Sequence, residues 1–459
     1  MKRRTFNTAL GILGIGALAG CAPAWRPAPP LATVEPPDAW REANDGTAAV
    51  DPQWWRSFGD PELGRLVEAA LVRNSDVLIA VARVDEARAQ AELAEAARLP
   101  AINGAIGLQG GRALQATGIS NARTIQPALQ ATWEPDLFGR IRTQIRAAAL
   151  QFRATQAERD AAGLSVAATT AQSYIALLAL DAQLRITRET VASRAEALRL
   201  ASDQARVGYI SQLQLTQAQS EYEAVLQSIP ELELAMRRQE NAVRLLAGEL
   251  PGAVARGKAF EDLLLPPVPA ALPSQLLARR PDVAQRELLL AAADAGLALR
   301  RQAFLPQVSL SAQLGSVLTS ALDYDPVAIW SIGGSVLAPL FTGGRLSAQY
   351  EASASVRDQA AFAYRRTVLT AFSEVENALA GVPRLQDQVG HALRRREVLT
   401  RSLGYARDRY QAGYASYLEE LDAQRNLYQV ELAMVTLRRT QIENLIGLYR
   451  ALGGGWSNS

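Results

Sequence analysis

Few residues in this sequence are of a type and spacing that could do chemistry. The 459 residues include one cysteine and one histidine, which excludes intramolecular disulfides and cysteine-rich zinc sites and removes most histidine-based metal and triad chemistry. The segment Gly252–Ala259 nearly matches a phosphate-binding loop, but Ala259 stands where that motif needs a hydroxyl for its metal ion. His391 lies in a helical pattern without a second histidine. We therefore expect no enzyme, no metal site and no non-covalent cofactor.

The one cysteine, Cys21, instead follows a secretion signal. Lys2–Arg4 is basic, and Ala9–Ala19 is an apolar stretch too short to span a bilayer, which is typical of a secretory signal peptide. The end of this stretch, Leu18–Cys21, resembles a bacterial lipobox, in which the cysteine carries a covalent lipid and becomes the first mature residue. We expect residues 1–20 to be removed and Cys21 to be lipidated. A free or buried thiol is the alternative.

The overall composition is that of a folded protein with balanced charge. Hydrophobic residues make up 49% of the chain and charged residues 20%, which excludes a disordered chain. The 48 Lys and Arg residues against 46 Asp and Glu leave a formal net charge of +2. Because this balance provides no basic excess to neutralise phosphates, we expect no nucleic-acid partner.

The chain contains an internal duplication. Short matches recur at one offset of 205 or 206 residues, over a span that chance does not maintain and with a period too long for a solenoid. We predict a first structural repeat over 60–249 and a second over 274–452, joined by a proline-rich linker over 250–273. An extended, lipid-anchored arm over 21–59 precedes them, and a tail over 453–459 follows. The matches are Asp76-Val77 with Asp282-Val283, Leu99-Pro100 with Leu305-Pro306, Gly139-Arg140 with Gly344-Arg345, and Gly208-Tyr209 with Gly413-Tyr414.

Each repeat shows the same order of helix and strand patterns, with two strands between a first helix and a very long one. The long stretch 140–206 has no proline and much alanine, so it predicts a rod of about 100 Å. In its counterpart, 345–410, apolar residues spaced three and four apart predict a coiled-coil seam that packs against other rods. Pro383 and Pro230 predict local kinks. The other predicted helices lie at 60–99, 212–249, 281–304 and 416–450.

The predicted strands alternate apolar and uncharged polar residues with a period of two. At ~9–11 residues each can cross an outer membrane when tilted, although the half-buried sheet of a soluble sandwich shows the same alternation. An open four-stranded sheet cannot exist in a bilayer, because its unpaired edge groups cost several kcal/mol each in hydrocarbon. One chain must therefore pool its strands with other copies. The predicted strands are 100–110, 124–134, 306–315 and 328–339.

Four motifs distributed over the mature chain carry a family resemblance: Trp54–Leu63, Arg279–Val283, Phe304–Pro306 and Pro339–Leu346. With them, the chain resembles the TolC-like outer membrane factor family, in its lipoprotein (OprM/NodT-type) branch. The resemblance implies a mostly α protein with a membrane β-barrel, a homotrimer whose four strands per chain form a 12-stranded barrel and whose helices form a long periplasmic α-helical barrel. It also implies a periplasmic adaptor protein and an inner-membrane pump, often of the resistance-nodulation-division type.

Under this resemblance, the two Gly-Tyr turns become the periplasmic tips of the tunnel, where glycine suits a reversal that needs positive φ. Glu419 and Asp422 follow the second tip, where the family places its constriction, and they lie three apart on one helix face. Threefold symmetry would repeat them into a negative ring. The alternative is a solvated helix start, where acids are favoured. The first copy has Gln214 and Gln217 at the equivalent positions.

The resemblance also assigns individual site residues. Family tips often carry a basic residue near the second turn, where this chain has Ala415, and Arg206 and Arg409 are the candidate substitutes. The predicted periplasmic gate residues are Glu419, Glu420 and Asp422, and the predicted tip and adaptor-contact residues are Arg206, Gly208, Tyr209, Tyr410, Gly413 and Tyr414.

The polar strand faces carry Gln, Ser, Thr and Asn rather than charges, which suits a wide lumen with little chemical selectivity. We therefore predict the outer-membrane channel of a tripartite efflux system, a passive trimeric conduit for small molecules or drugs. It would be anchored to outer-membrane lipid through Cys21, with its tunnel extending into the periplasm. One alternative is the exit duct of a type I protein-secretion system. Another is a non-porous, lipid-anchored coiled-coil scaffold of the periplasm.

Overall fold

The computed structural model describes residues 23–42, 50–115, 118–269 and 273–456. The predicted signal peptide and the predicted lipidation site, Cys21, lie outside the described residues. The chain forms two compact units, which we name the sheet unit and the helical unit. The sheet unit comprises Met1–Thr33, Arg83–Gln156 and Gln285–Arg365, and the helical unit comprises Val34–Ala82, Ala157–Ala284 and Arg366–Ser459.

The two copies of the duplication share three helices of equal length and two strands. In each, a 22-residue helix precedes two strands, a 67-residue helix and a 35-residue helix. The predicted fold class, mostly helical with two strands in each repeat, is confirmed. The elements are α1 (Pro61–Arg73), α2 (Ser75–Ala96), β1 (Ala101–Gln115), β2 (Gly118–Trp133), α3 (Arg140–Arg206), α4 (Gln212–Leu246), α5 (Pro273–Arg279), α6 (Pro281–Gln302), β3 (Gln307–Thr319), β4 (Val327–Leu337), α7 (Arg345–Gln411) and α8 (Tyr417–Ala451).

In the sheet unit, the four strands form one antiparallel sheet in the order β1-β2-β3-β4. The register places Ile102 opposite Ala131, Leu129 opposite Leu314, and Leu314 opposite Trp330. Because successive side chains of a strand point to opposite faces, most of the large apolar residues of the four strands share one face. The exceptions lie towards the ends of β3 and β4: Val317, Val327, Ile329 and Leu337. The other face carries uncharged polar residues that are also paired across strands, among them Gln130, Gln313 and Ser331.

Three strands are longer than the alternation predicts. β1 continues to Gln115, past the predicted end at 110, and its partner β2 begins at Gly118 rather than at 124. β3 continues to Thr319. The alternation of side chains is lost at Gly110-Gly111, but the ladder is formed by backbone N–H and C=O groups, which remain paired beyond the glycines.

Both prolines that predict kinks lie inside continuous helices. Pro230 lies in α4 and Pro383 in α7, and both helices extend well past these residues. Each proline removes one backbone N–H from the helical ladder, whereas the bonds of the neighbouring turns remain. α3 also contains one 18-residue window that is long and apolar enough to cross a membrane by length and composition alone. Of this window, 56% is buried within the structure, and a core helix passes the same test.

The beginning of the arm is held in the sheet unit by side chains that bind its backbone. The Tyr350 hydroxyl donates to the Ala24 carbonyl at 2.8 Å. The fully buried Arg357 donates to the carbonyls of Arg26 and Pro27 at 3.0 and 2.8 Å. An extended segment has no backbone ladder of its own, so these bonds supply the partners that its carbonyls need.

The near match to a phosphate-binding loop, Gly252–Ala259, has a structural role in the helical unit. The Gly257 N–H donates to the Tyr174 hydroxyl at 3.0 Å, and the Lys258 N–H donates to the buried Asp60 carboxylate at 3.0 Å. A Cβ atom at Gly257 would overlap Asp60 Oδ1. The glycine therefore permits a close approach to the residue that caps α1, and the segment precedes no helix start of the phosphate-binding kind.

Candidate functional site

The first turn, residues 207–211, reverses the chain between α3 and α4. Gly208 has a φ of 78°, and the Tyr209 N–H donates at 2.8 Å to the carbonyl five residues earlier. This pattern is a helix C-cap that favours glycine, because side chains with a Cβ atom are strained at positive φ. Ser211 and Gln214 then form a capping box at the start of α4, with N–H to side-chain bonds of 3.0 and 3.3 Å.

The second turn, residues 412–416, has the same backbone but a different start to the next helix. Gly413 also has a φ of 78°, and the Tyr414 N–H donates at 2.8 Å to the carbonyl five residues earlier. Ser416 is the N-cap of α8, yet its side chain makes no capping hydrogen bond. The predicted tip residues Tyr209 and Tyr414 are both exposed at these turns.

The three predicted gate acids fall into two different environments. The side chains of Glu419 and Asp422 are 51% and 60% exposed. Glu420 is only 6% exposed, and its Oε1 accepts from Gln424 Nε2 at 3.0 Å and from Arg407 Nε at 3.4 Å. Adjacent helix residues point about 100° apart, so Glu420 faces inward while its neighbour faces outward. Glu420 is therefore part of the packing of the helical unit and not of the exposed acidic pair.

The two candidate basic partners also differ. Arg409 Nη2 lies 3.8 Å from Glu419 Oε2 and donates to the Tyr414 carbonyl at 3.4 Å, so it spans the second turn. Arg206 Nη2 instead pairs with Asp203 on its own helix at 3.1 Å. Of the two arginines, only Arg409 takes the position of a basic partner for the exposed acids.

A charged cluster that sequence reasoning missed lies behind the acidic pair. Glu221 on α4 accepts from Arg194 on α3 and from Arg425 on α8, and Arg425 Nη1 also lies 3.5 Å from Asp422 Oδ1. The Arg194 side chain is only 4% exposed. The hydrogen bond from Arg425 lowers the pKa of Glu221, and Arg194 lowers it further, against the opposing effect of burial. The duplication could have pointed to Glu221, because the equivalent residue of the second copy is the uncharged Asn426.

Aromatic residues connect the two turns inside the helical unit. The Tyr410 hydroxyl donates to Gln204 Oε1 at 2.8 Å, and its ring lies 5.6 Å from that of Tyr417. Burial raises the pKa of Tyr417 to about 12. A cavity of about 320 Å³ adjoins both tyrosines and Glu420. Tyr410, predicted to be a tip and adaptor-contact residue, is half-buried, because it bridges the two copies.

The sheet unit presents a second candidate surface. Its apolar face is exposed across all four strands, with Trp330 and Ile332 at 74% and 80% exposure. Leu129, which is paired with Leu314, is exposed as well. The sheet thus has a wide apolar face and a face with uncharged polar residues. This pattern is typical of barrel strands that lie between lipid and an aqueous lumen.

Among the described residues, no group of three or more His, Cys, Asp or Glu side chains is placed to hold a metal ion. His391 is exposed on α7, and its Nδ1 lies 3.2 Å from Arg394 Nη2 on the same helix.

Comparison with known sequences defines the class of protein to which these surfaces belong. The profile of the family described as outer membrane efflux protein matches the chain twice, over residues 66–249 and 272–454. The chain belongs to this family of outer-membrane channels, as its resemblance to the outer membrane factors implies. The two matched ranges correspond to the two copies of the duplication.

Individual relatives are similar over nearly their whole length. The pyoverdine export outer membrane protein OpmQ of Pseudomonas aeruginosa is 33% identical over 444 residues, which cover 94% of both chains. The cation efflux system protein CusC of Escherichia coli is 32% identical over 453 residues, covering 96% of this chain and 97% of the relative. The solved structure of the outer-membrane channel OprN superposes with a TM-score of 0.85 at 26% identity and covers 94% of this chain and 99% of OprN.

These findings decide between the three predicted functions. The protein is an outer-membrane efflux channel, which confirms the first prediction over the protein-secretion duct and the periplasmic scaffold. The comparisons concern whole chains, so they leave the roles of the individual gate and tip residues as predictions.

Proposed function

We propose that three copies of this chain close their sheets into one 12-stranded barrel in the outer membrane and act together as a passive conduit. The exposed apolar face of the sheet, opposite a face of uncharged polar residues, is the observation that carries this proposal. It matches the lipid-facing and lumen-facing sides of a membrane barrel. A lumen lined by Gln, Ser and Thr provides hydrogen bonds without a strong charge filter.

The edges of the sheet support an assembly of several copies. Among the strands that the structure describes, β1 and β4 each have one neighbour in the sheet, so each leaves one row of backbone N–H and C=O groups without described strand partners. In hydrocarbon, such groups must pair, and antiparallel pairing of β4 with β1 of the next copy would continue the sheet until it closes. The number three comes from the family resemblance.

We also propose two protein partners for the channel. The exposed turns with Tyr209 and Tyr414 would contact a periplasmic adaptor protein, which connects the channel to an inner-membrane pump, in our proposal of the resistance-nodulation-division type. The pump supplies energy and substrate choice, so the channel itself has no enzymatic activity. Because related proteins are named for pyoverdine export and for cation efflux, we infer small molecules as the exported class.

The amino terminus provides the anchor in this proposal. Cys21 is the last residue of the lipobox-like segment Leu18–Cys21, and the described part of the arm is held by buried Arg357 and by Tyr350. A diacylglyceryl and acyl modification of Cys21 would place this arm at the inner face of the outer membrane. Intact mass of the mature protein tests this directly, with Cys21→Ala as the control that should lack the added lipid mass.

Reconstitution tests the conduit itself. The purified protein should have the mass of three chains by native mass spectrometry and should conduct ions in planar bilayers once the tip is opened. A single-chain mass, or a membrane that stays sealed under every condition, would contradict the proposal. In cells, deletion of the protein should raise the accumulation of small fluorescent dyes, and re-expression should reverse it. An effect on a secreted protein without one on dyes would favour a secretion duct instead.

A further inference from the structure

Two arginines occupy an unusual position on the apolar face of the sheet. In the register of β1 and β2, Arg112 is opposite Asn121 and Gly110 is opposite Arg123, so the two arginines are diagonal neighbours on one face. The next pair on this face is Leu108 opposite Ile125. Both arginines thus continue the apolar columns of their strands.

The spacing along the strands gives the distance of this arginine pair from the opposite end of the apolar face. Ten residues separate Ile102 from Arg112 on β1, and ten separate Trp133 from Arg123 on β2. At ~3.4 Å per residue and a tilt of ~40°, ten residues rise by ~25 Å, which is the height of the apolar band of an outer-membrane barrel. If Trp133 marks one membrane interface, the arginines lie at the headgroup level of the other.

The protein does not neutralise this charge within the described residues. Neither guanidinium group forms an ion pair with any side chain that the structure describes, and both residues are exposed. The second hairpin has no basic residue in the corresponding region; its turn carries Asp323 and Asp325 instead. The positive charge is therefore confined to the β1–β2 hairpin.

We propose that Arg112 and Arg123 form a binding site for the phosphate groups of outer-leaflet lipid headgroups. This inference rests on the proposed placement of the sheet in the outer membrane. Guanidinium groups bind phosphate oxygens through two parallel hydrogen bonds, and two adjacent arginines can hold one phosphate or two neighbouring ones. The site fixes the depth of the barrel because it is separated from the opposite interface by one hydrophobic thickness.

Lipid-dependent stabilisation tests the site. The assembled wild-type channel is reconstituted into phosphatidylcholine vesicles with and without lipid A, and the midpoint of thermal dissociation is measured. Lipid A should raise the midpoint, and Arg112→Gln with Arg123→Gln should abolish most of that rise and weaken binding to fluorescent lipid A about tenfold. The double lysine variant should keep part of it. The matched control, Arg300→Gln with Arg345→Gln, removes the same charge from exposed residues outside the strands and should behave as wild type.

Each other result overturns the inference. An equal rise in wild type and glutamine variant would show that lipid A acts elsewhere. A loss of stability in the variant that is the same in every lipid would assign the arginines to contacts between copies. An equal rise with soluble inorganic phosphate would identify a free-anion site. Conductance separates these outcomes from failure of the proposed function: a wild-type channel that conducts but shows no lipid A effect refutes the lipid site alone.

Discussion

The two helix turns share one backbone conformation, but the side chains that follow them differ in charge. Gly208 and Gly413 share a φ of 78°, and each following tyrosine N–H closes the same bond to the carbonyl five residues earlier. The next helix then begins with glutamines in the first copy and with Glu419 and Asp422 in the second. Duplication has thus preserved the reversal of the chain, whereas the exposed acids Glu419 and Asp422 follow the second turn alone.

The start of the second helix shows how that difference arises. Ser416 and Glu419 have the Ser-x-x-Glu spacing of a capping box, which Ser211 and Gln214 form at the first turn. At the second turn, neither bond of the box is made, and Glu419 lies near Arg409 instead. The capping-box spacing therefore predicts the hydrogen bonds of the first copy but not those of the second, where the Glu419 side chain has another contact.

The largest difference between the copies should appear at Glu221. Glu221→Ala leaves the buried Arg194 without its carboxylate and should lower the free energy of unfolding by about 3 kcal/mol. The repeat-equivalent variant Asn426→Ala removes only an exposed hydrogen bond and should change it by less than about 0.5 kcal/mol. Denaturant unfolding in detergent measures both. If both variants lost the same free energy of unfolding, the ion pairs of Glu221 would not distinguish the two copies.

The same carboxylate should give the helical unit a pH dependence. The pKa of Glu221 is lower in the folded protein than its ordinary value of 4.5, chiefly through the Arg425 hydrogen bond. Its stabilisation is therefore complete above that value and is lost as the pH falls through the lowered pKa. The stability difference between wild type and Glu221→Gln should shrink at acidic pH. A difference that stays constant from neutral to acidic pH would contradict the assignment.

The acidic pair should control cation binding at the second turn only. Glu419→Ala with Asp422→Ala should raise conductance and weaken block by multivalent cations about tenfold, because in the proposed trimer these variants would remove a ring of exposed carboxylates. Single-channel recording measures both effects. Gln214→Ala with Gln217→Ala alters the equivalent positions of the first copy and should leave block unchanged. If the acidic variant keeps both wild-type conductance and wild-type block, the two carboxylates are a solvated helix start.

The smallest expected difference concerns the helix caps. Ser211→Ala removes one side of the capping box and should cost about 1 kcal/mol of stability, whereas Ser416→Ala removes a side chain that makes no capping bond and should cost little. Amide hydrogen exchange at the start of α4 and of α8 reports each cap separately. Equal increases of exchange at both helices would show that Ser416 caps α8 in solution.

Much of the fold could be predicted from local patterns. The Gly-Tyr turns, the long helices and the alternating strands depend on residues close together in sequence, and duplication provided a second copy of each. Strand ends were missed at Gly110-Gly111, where side-chain alternation stops but backbone pairing continues. The inward direction of Glu420 and the half-burial of Tyr410 were missed as well. Glu420 accepts a hydrogen bond from Arg407 of α7, and Tyr410 donates one to Gln204 of α3. The pattern of a single helix does not reveal such partners.

The sequence by itself determined the duplication, because matches recur at one offset, and the reversal at each glycine, because positive φ favours glycine. The class of channel came from the family resemblance that its motifs carry. Only the tertiary structure decided which of the carboxylates are paired, buried or exposed. It pairs Glu221 with two arginines from different helices, buries Glu420 and leaves Glu419 and Asp422 exposed. The physical reason is that a carboxylate acts according to its burial and its partners, and those partners come from helices that are distant in sequence.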